Sequence, residues 1–172
     1  MLKRVAICGG GLSAELNSEI EGLGALLAYN RVLVLTGGRD EGAMLAASRG
    51  AASIPGAIVV GILPSIDGRD ANPYVTLPIC TGMGNARNAV LVQSADVVVA
   101  VGGEWGTLSE IALARKAGKP VIAYQQLMVQ NAWPGVEVVD TLMALVAHLE
   151  QLLQLEFQPL PPTDTPTIDY FL

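Results

Sequence analysis

This sequence predicts an α/β chain with a mainly parallel sheet of about six to seven strands, flanked by helices. Three observations carry that expectation. Short apolar, strand-like runs alternate with helix-like runs along most of the chain, which is the mark of βαβ units with right-handed crossovers. The strand-like runs are continuously apolar rather than alternating, as strands covered on both faces are. Hydrophobic residues make up 51% of the chain and aromatic ones only 5%, so the core is built from Val, Ile, Leu and Ala. The economical architecture is a Rossmann-like doubly wound sheet. In such a sheet a ligand sits outside the carboxyl ends of the strands, where the strand order reverses.

The first element, Arg4–Cys8, is a strand stopped by Gly9, Gly10 and Gly11. Ser13 then caps a helix from Ala14 to about Ala28, whose Leu16, Ile20, Leu23 and Leu27 share one face. Arg31–Thr36 is a strand ended by Gly37 and Gly38, and an alanine-rich helix comes next at about Gly42–Ser53. Ala57–Leu63 is a third strand, Pro64–Pro73 a loop and Tyr74–Cys80 a fourth strand. Gly82-Met83-Gly84 leads into a helix at about Asn85–Ser94. Asp96–Val101, with four valines, is the most strand-like segment and stops at Gly102 and Gly103. A helix at about Leu108–Ala117 ends at Gly118, and Pro120–Tyr124 is a further strand. Gln125–Gly135 is ambiguous, Val136–Val139 reads as a last strand, and Asp140 caps a leucine-rich final helix.

A chain of 172 residues suits one domain, placed at residues 1–156, with a proline-rich tail at 157–172. The tail is expected as an extended arm or a disordered end, with Ile168, Tyr170, Phe171 and Leu172 apolar enough to dock. The formal charge of -6 argues against generic nucleic-acid binding. No apolar run reaches the ~18 residues of a membrane helix, and the first residues lack a signal-peptide core. Cys8 and Cys80 have no metal-type spacing and read as reduced, buried thiols at strand ends. A cytoplasmic protein without a metal site is expected, and so apolar a chain suits a homo-oligomer.

Four glycine clusters come after apolar strands: Gly9–Gly11, Gly37–Gly38, Gly82 with Gly84, and Gly102–Gly103 with Gly106. All four fall on the carboxyl edge of the expected sheet, and each precedes a helix whose first N–H groups favour phosphate. Glycines also simply make tight turns, but four clusters on one edge favour a phosphate site. No Walker-type lysine loop is present. The first loop lacks the last glycine of a dinucleotide fingerprint, and the second strand ends in Thr36-Gly37 rather than an acid. The ligand expected is therefore a small phosphorylated molecule, most simply a nucleotide.

The stretch Gly82-Met83-Gly84-Asn85-Ala86-Arg87-Asn88, with Val101-Gly102-Gly103-Glu104-Trp105-Gly106-Thr107-Leu108-Ser109-Glu110, resembles the LONELY GUY family. Members were long mislabelled lysine decarboxylases, and no lysine here sits in a pyridoxal phosphate setting. The similarity covers about Val5 to Ile122 and includes the loop Thr36–Met44. It implies a dimer that needs no cofactor and hydrolyses nucleoside 5′-monophosphates to free base and ribose 5-phosphate. Val101 stands where the activating enzymes have Pro, and Asn88 where they have Lys. In this the chain looks more like a bacterial subfamily related to the DNA-processing protein Smf and to molybdenum cofactor carriers. That likeness implies the alternative of a non-catalytic carrier or sensor of a phosphorylated pterin or nucleotide.

On this resemblance, Gly102, Gly103, Gly106 and Thr107 hold the phosphate, with Gly10, Gly11, Gly37, Gly38, Arg39, Gly82 and Met83 lining the site. Arg87 and Glu110 are the catalytic candidates. Breaking an N-glycosidic bond builds positive charge on the ribose, which a carboxylate stabilises. Arg87 pairs with the phosphate or with Glu110, or is an ordinary surface ion pair. Spacing alone leaves Glu110 equally readable as the last residue of a capping box, Thr107-Leu108-Ser109-Glu110. Trp105 stacks on a base or packs on a partner subunit. His148 reads as a solvated surface residue. Asp67, Arg69, Asp70 and Asn72 lie in the long loop, where the sequence leaves their roles open.

Overall fold

The computed structural model describes residues 1–125 and 133–162. The tail beyond Pro162 and most of the ambiguous Gln125–Gly135 stretch lie outside them.

The elements are β1 (Arg4–Cys8), α1 (Ala14–Tyr29), β2 (Leu33–Thr36), α2 (Gly42–Ala52), β3 (Val59–Leu63) and β4 (Leu77–Cys80). Next come a 3-10 turn (Gly84–Ala86), α3 (Arg87–Ser94), β5 (Val97–Val101), α4 (Trp105–Lys116), β6 (Val121–Tyr124), β7 (Val136–Val139) and α5 (Leu142–Leu153). All seven strands join one sheet in the order β4-β3-β2-β1-β5-β6-β7, and every neighbouring pair is parallel. This is the expected Rossmann-like doubly wound fold.

The continuous apolar runs are explained by two cores. Val5, Ile7, Val34, Val97, Val99 and Val101 face α1, α2 and α5. Their neighbours Ala6, Cys8, Leu35, Val98 and Ala100 face α3 and α4. Successive residues of a strand point to opposite faces, so a strand covered twice has no polar position. The expected α1 face is buried: Leu16, Ile20, Leu23 and Leu27 are all core residues. Gly50 lets α2 lie against α1, for a Cβ there would sit 1.8 Å from the Glu21 carbonyl oxygen.

Several boundaries differ from expectation. β4 begins at Leu77, not Tyr74, and is exposed throughout, because it is an outer strand. Cys80 is therefore exposed, whereas Cys8 is buried as expected. Thr141, not Asp140, caps α5: its hydroxyl accepts from the Ala144 N–H at 3.2 Å. Ser13 caps α1 as expected, accepting from the Leu16 N–H at 3.2 Å.

Arg4 and Asp96 tie the start of β1 to the residue before β5. The guanidinium donates to both carboxylate oxygens, at 3.2 and 2.7 Å, and the Arg4 N–H adds a bond of 2.9 Å. These bonds hold the Asp96 carboxyl below the usual carboxylate range. Both side chains are about one-third exposed, so solvent screens the pair. Asp96→Asn should cost about 0.5–1 kcal/mol at pH 7 in urea unfolding. A lowered carboxylate stabilises the fold above its unfolded pKa, near ~4. The parent–variant difference should therefore vanish as pH falls through the lower, folded value.

Candidate functional site

Because every strand is parallel, the loops after β1, β2, β4 and β5 share one sheet edge. The order reverses between β1 and β5, which makes the gap above those strands the topological switch point. Gly10 and Gly11 come after β1 there, and Gly102 and Gly103 after β5. The loop after β2 joins them by direct contact. The Ala43 N–H donates to the Gly10 carbonyl at 3.4 Å, and a Cβ at Gly42 would lie 1.7 Å from that oxygen. Gly42 has φ +53°, so both its backbone conformation and this close approach require glycine.

The helix starts at this edge differ in what they leave open. Ser13 serves α1, and Gly10 receives the Ala43 N–H of α2. At α4 the N-cap is Glu104, whose side chain makes no capping bond. The first-turn N–H groups of a helix have no intrahelical acceptor, and at α4 no N-cap side chain bonds those of Trp105, Gly106 or Thr107, as at α2 none is bonded by Glu41. This start also corrects the capping-box reading. Thr107 is the third residue of α4 rather than its cap, and Glu110 lies a full turn too deep to bond back to a cap. Thr107 is only 4% exposed, which takes its hydroxyl out of bulk solvent.

Glu110 instead meets Arg87. The Arg87 Nη1 donates to Glu110 Oε1 at 3.0 Å, with the two side chains 9% and 7% exposed. The surface-ion-pair alternative for Arg87 is thus excluded. The guanidinium lies against Gly37: a Cβ there would be 2.4 Å from Nη2. Arg87 Nε is buried and has no hydrogen-bond partner among the described residues. Cys8, at the end of β1, completes the cluster. Burial pushes its thiol well up, and the adjacent Glu110 carboxylate adds to the shift. Burial likewise pushes the Glu110 carboxyl up, against the charge and hydrogen bond of Arg87, and burial prevails.

The remaining candidates spread outward. Gly38 is next to Gly37 in the β2 loop. Arg39 is half exposed and pairs with Glu41 at 3.4 Å. Gly82 and Met83 come after β4, three strands from β1 and therefore about 14 Å along the sheet at strand level, and the 3-10 turn that follows them runs directly into Arg87. Trp105 is 79% exposed at the first turn of α4. His148 is partly exposed, 3.9 Å from Glu137, on the final helix away from this edge.

Two contributors were not legible in the sequence. Asn72 is 2% exposed and holds the β2 loop: its Nδ2 donates to the carbonyls of Gly38 and Arg39 and to Ser48 Oγ, each at 3.2 Å. A lone Asn in a polar loop carries no signal of that role. Asn72→Ala should lower stability by about 1–3 kcal/mol through stranded buried acceptors. Hydrogen exchange should quicken at residues 37–41, which a purely global loss would not single out. Tyr124, at the end of β6, donates to Glu19 Oε2 at 2.7 Å, and burial with that bond pushes its phenol up to about 12.

Fold and site together define a Rossmann-like protein whose glycine loops after β1, β2 and β5 meet at the switch point of the sheet. The chain belongs to the SLOG cluster4 family, whose model matches residues 2–153. It is 37% identical over 141 residues to an uncharacterized protein of Archaeoglobus fulgidus, covering 81% of this chain and 89% of that one. It is similar to the molybdenum cofactor binding protein from the phototrophic bacterium Rippkaea orientalis, with a TM-score of 0.82 and 34% identity, over 89% of this chain and 98% of that chain. The molybdenum cofactor carrier protein of Chlamydomonas reinhardtii aligns with a TM-score of 0.78 and 32% identity, over 88% of this chain and 99% of that one.

Proposed function

We propose that this protein binds and carries a small phosphorylated pterin of the molybdenum cofactor type, without chemical turnover. The buried Arg87–Glu110 pair is the observation that carries this reading. The carboxylate that N-glycosidic hydrolysis needs is bound to a guanidinium and only 6% exposed. On this reading it would brace the crevice floor rather than meet a ribose. The near-full-length likeness to two proteins described as binding or carrying that cofactor supports the same reading.

The ligand's phosphate would rest on the N–H groups between Gly103 and Thr107, with Gly10, Gly11 and Gly102 allowing close approach. The unpartnered Nε of Arg87 beneath Gly37 fits a buried demand for an anion near this floor. Arg39, Gly37 and Gly38 would form the β2 side of the crevice, and Gly82 and Met83 its outer limit. The cargo contributes its own metal and redox chemistry; the chain contributes backbone donors and shelter from water.

A second reading keeps the hydrolase. It is favoured by the juxtaposition of Arg87 and Glu110, the two candidates the family resemblance implies. One experiment separates the two. The protein is titrated anaerobically with molybdenum cofactor released from a molybdoenzyme, and separately incubated with a panel of nucleoside 5′-monophosphates. Saturable retention of the cofactor with no released base is expected. Release of base by the parent and not by Glu110→Gln would replace the carrier with the hydrolase.

A further inference from the structure

At the sheet edge opposite the crevice, the amino ends of β1, β2 and β3 frame an open groove of about 370 Å³. Its walls include Leu2, Tyr29, Ile54, Pro55 and Ile58, with Arg31 as its cation. Leu2, Tyr29 and Ile58 are 51%, 39% and 49% exposed, an apolar concavity that the described residues leave uncovered. Arg31 makes no ion pair among the described residues.

The chain after α5 is led to the rim of this groove. The Phe157 N–H donates to Glu150 Oε1 at 2.7 Å, and Phe157 packs on the α1, α2 and α5 side of the core. The Gln158 N–H then donates to Asn30 Oδ1 at 2.7 Å, and Asn30 Nδ2 donates to the Gln158 carbonyl at 2.9 Å. Asn30 stands between Tyr29 and Arg31, two residues of the groove wall. The backbone is thus clamped at two points beside the concavity, and the described part ends four residues later at Pro162.

The last ten residues of the chain are complementary to this groove. Residues 163–172 read Thr-Asp-Thr-Pro-Thr-Ile-Asp-Tyr-Phe-Leu. Ile168, Tyr170, Phe171 and Leu172 are apolar, and Asp164 and Asp169 match the charge of Arg31. Ile168 is ten steps along the chain from Gln158, which can span roughly 33 Å, so reach does not limit the encounter. We propose that the groove is the docking site of the chain's own apolar segment Ile168–Leu172.

The test is hydrogen exchange on the full chain, comparing the parent with Ile58→Asp in the groove and with Phe171→Ser/Leu172→Ser in the segment. Docking predicts that amides of 168–172 exchange at least tenfold slower than an unstructured reference in the parent. In Ile58→Asp they should return to the reference rate. Amides of 54–58 should quicken severalfold in Phe171→Ser/Leu172→Ser. Ile58 is half exposed, and the described residues by themselves build both cores, so both variants should fold. Reference-rate exchange of 168–172 in the parent would overturn the proposal. So would slow exchange that Ile58→Asp leaves unchanged, or that appears only on raising the protein concentration.

Discussion

Replacing Glu110 with alanine should destabilise the protein by about 3–5 kcal/mol, because it leaves the Arg87 guanidinium buried without its counter-charge. The side chains are 9% and 7% exposed, so water cannot compensate in place. Urea unfolding of parent and variant at pH 7 measures the effect as a lower midpoint at constant slope. The pair itself is not a large net source of stability. Burial raises the Glu110 carboxyl against the pull of Arg87, which means that holding the charge inside the fold is unfavourable overall. Arg87→Met combined with Glu110→Leu should therefore recover most of the loss, as apolar replacements of buried ion pairs often do. If the double variant is as unstable as Glu110→Ala, the stranded-charge account fails.

The same pair gives a pH dependence of defined sign. A raised carboxyl holds its proton in the fold at pH values where the unfolded chain has lost it. The native state then binds more protons, and stability falls as pH rises from the unfolded pKa through the folded one. Glu110→Gln cannot ionise and should flatten that segment of the stability–pH curve. Asp96 works the other way, since its contribution is lost as pH falls. The two groups are thus distinguishable in one titration.

The local elements were largely legible, and the long-range pairings were not. Arg4–Cys8 and Val136–Val139 are strands with the bounds their apolar runs indicate. The i, i+3, i+4 leucines of α1 are buried as that spacing requires. The family resemblance and the doubly wound parallel sheet hold. What spacing could not convey is that Arg87 and Glu110, 23 residues apart, meet inside the core. That contact depends on α3 and α4 packing on the same face of the sheet, which sheet order decides. The start of α4 was also hidden. Trp105-Gly106 is a poor helix opening by propensity, so the sequence favoured a later start and a capping box that the fold does not contain. β4 is a strand as its apolar run indicates, but it starts later, at Leu77, and Cys80 at its end is exposed. Its proline, which lacks a ladder donor, is the residue that suits an outer position.

The crevice can be tested without disturbing the fold, because one of its glycines has room for a side chain. A Cβ at Gly10 would meet nothing within 4 Å, and Gly10 is not among the glycines with positive φ. Gly10→Ala should therefore leave stability within about 0.5 kcal/mol of the parent, so that any loss of affinity in it reports the methyl group's encounter with the ligand. Gly10→Asp adds a carboxylate where the proposed phosphate approaches, and like charges brought together cost several kcal/mol. Binding of the phosphorylated ligand should weaken at least ~100-fold, while urea unfolding remains close to that of Gly10→Ala. Gly42→Ala is the contrasting case. Its Cβ would strike the Gly10 carbonyl at 1.7 Å, so it should lose stability and affinity together. Calorimetric titration of the three variants with the released cofactor distinguishes charge from collapse. Undiminished binding by a stably folded Gly10→Asp would remove the β1 loop from the site and move the search to the loops after β2 and β4.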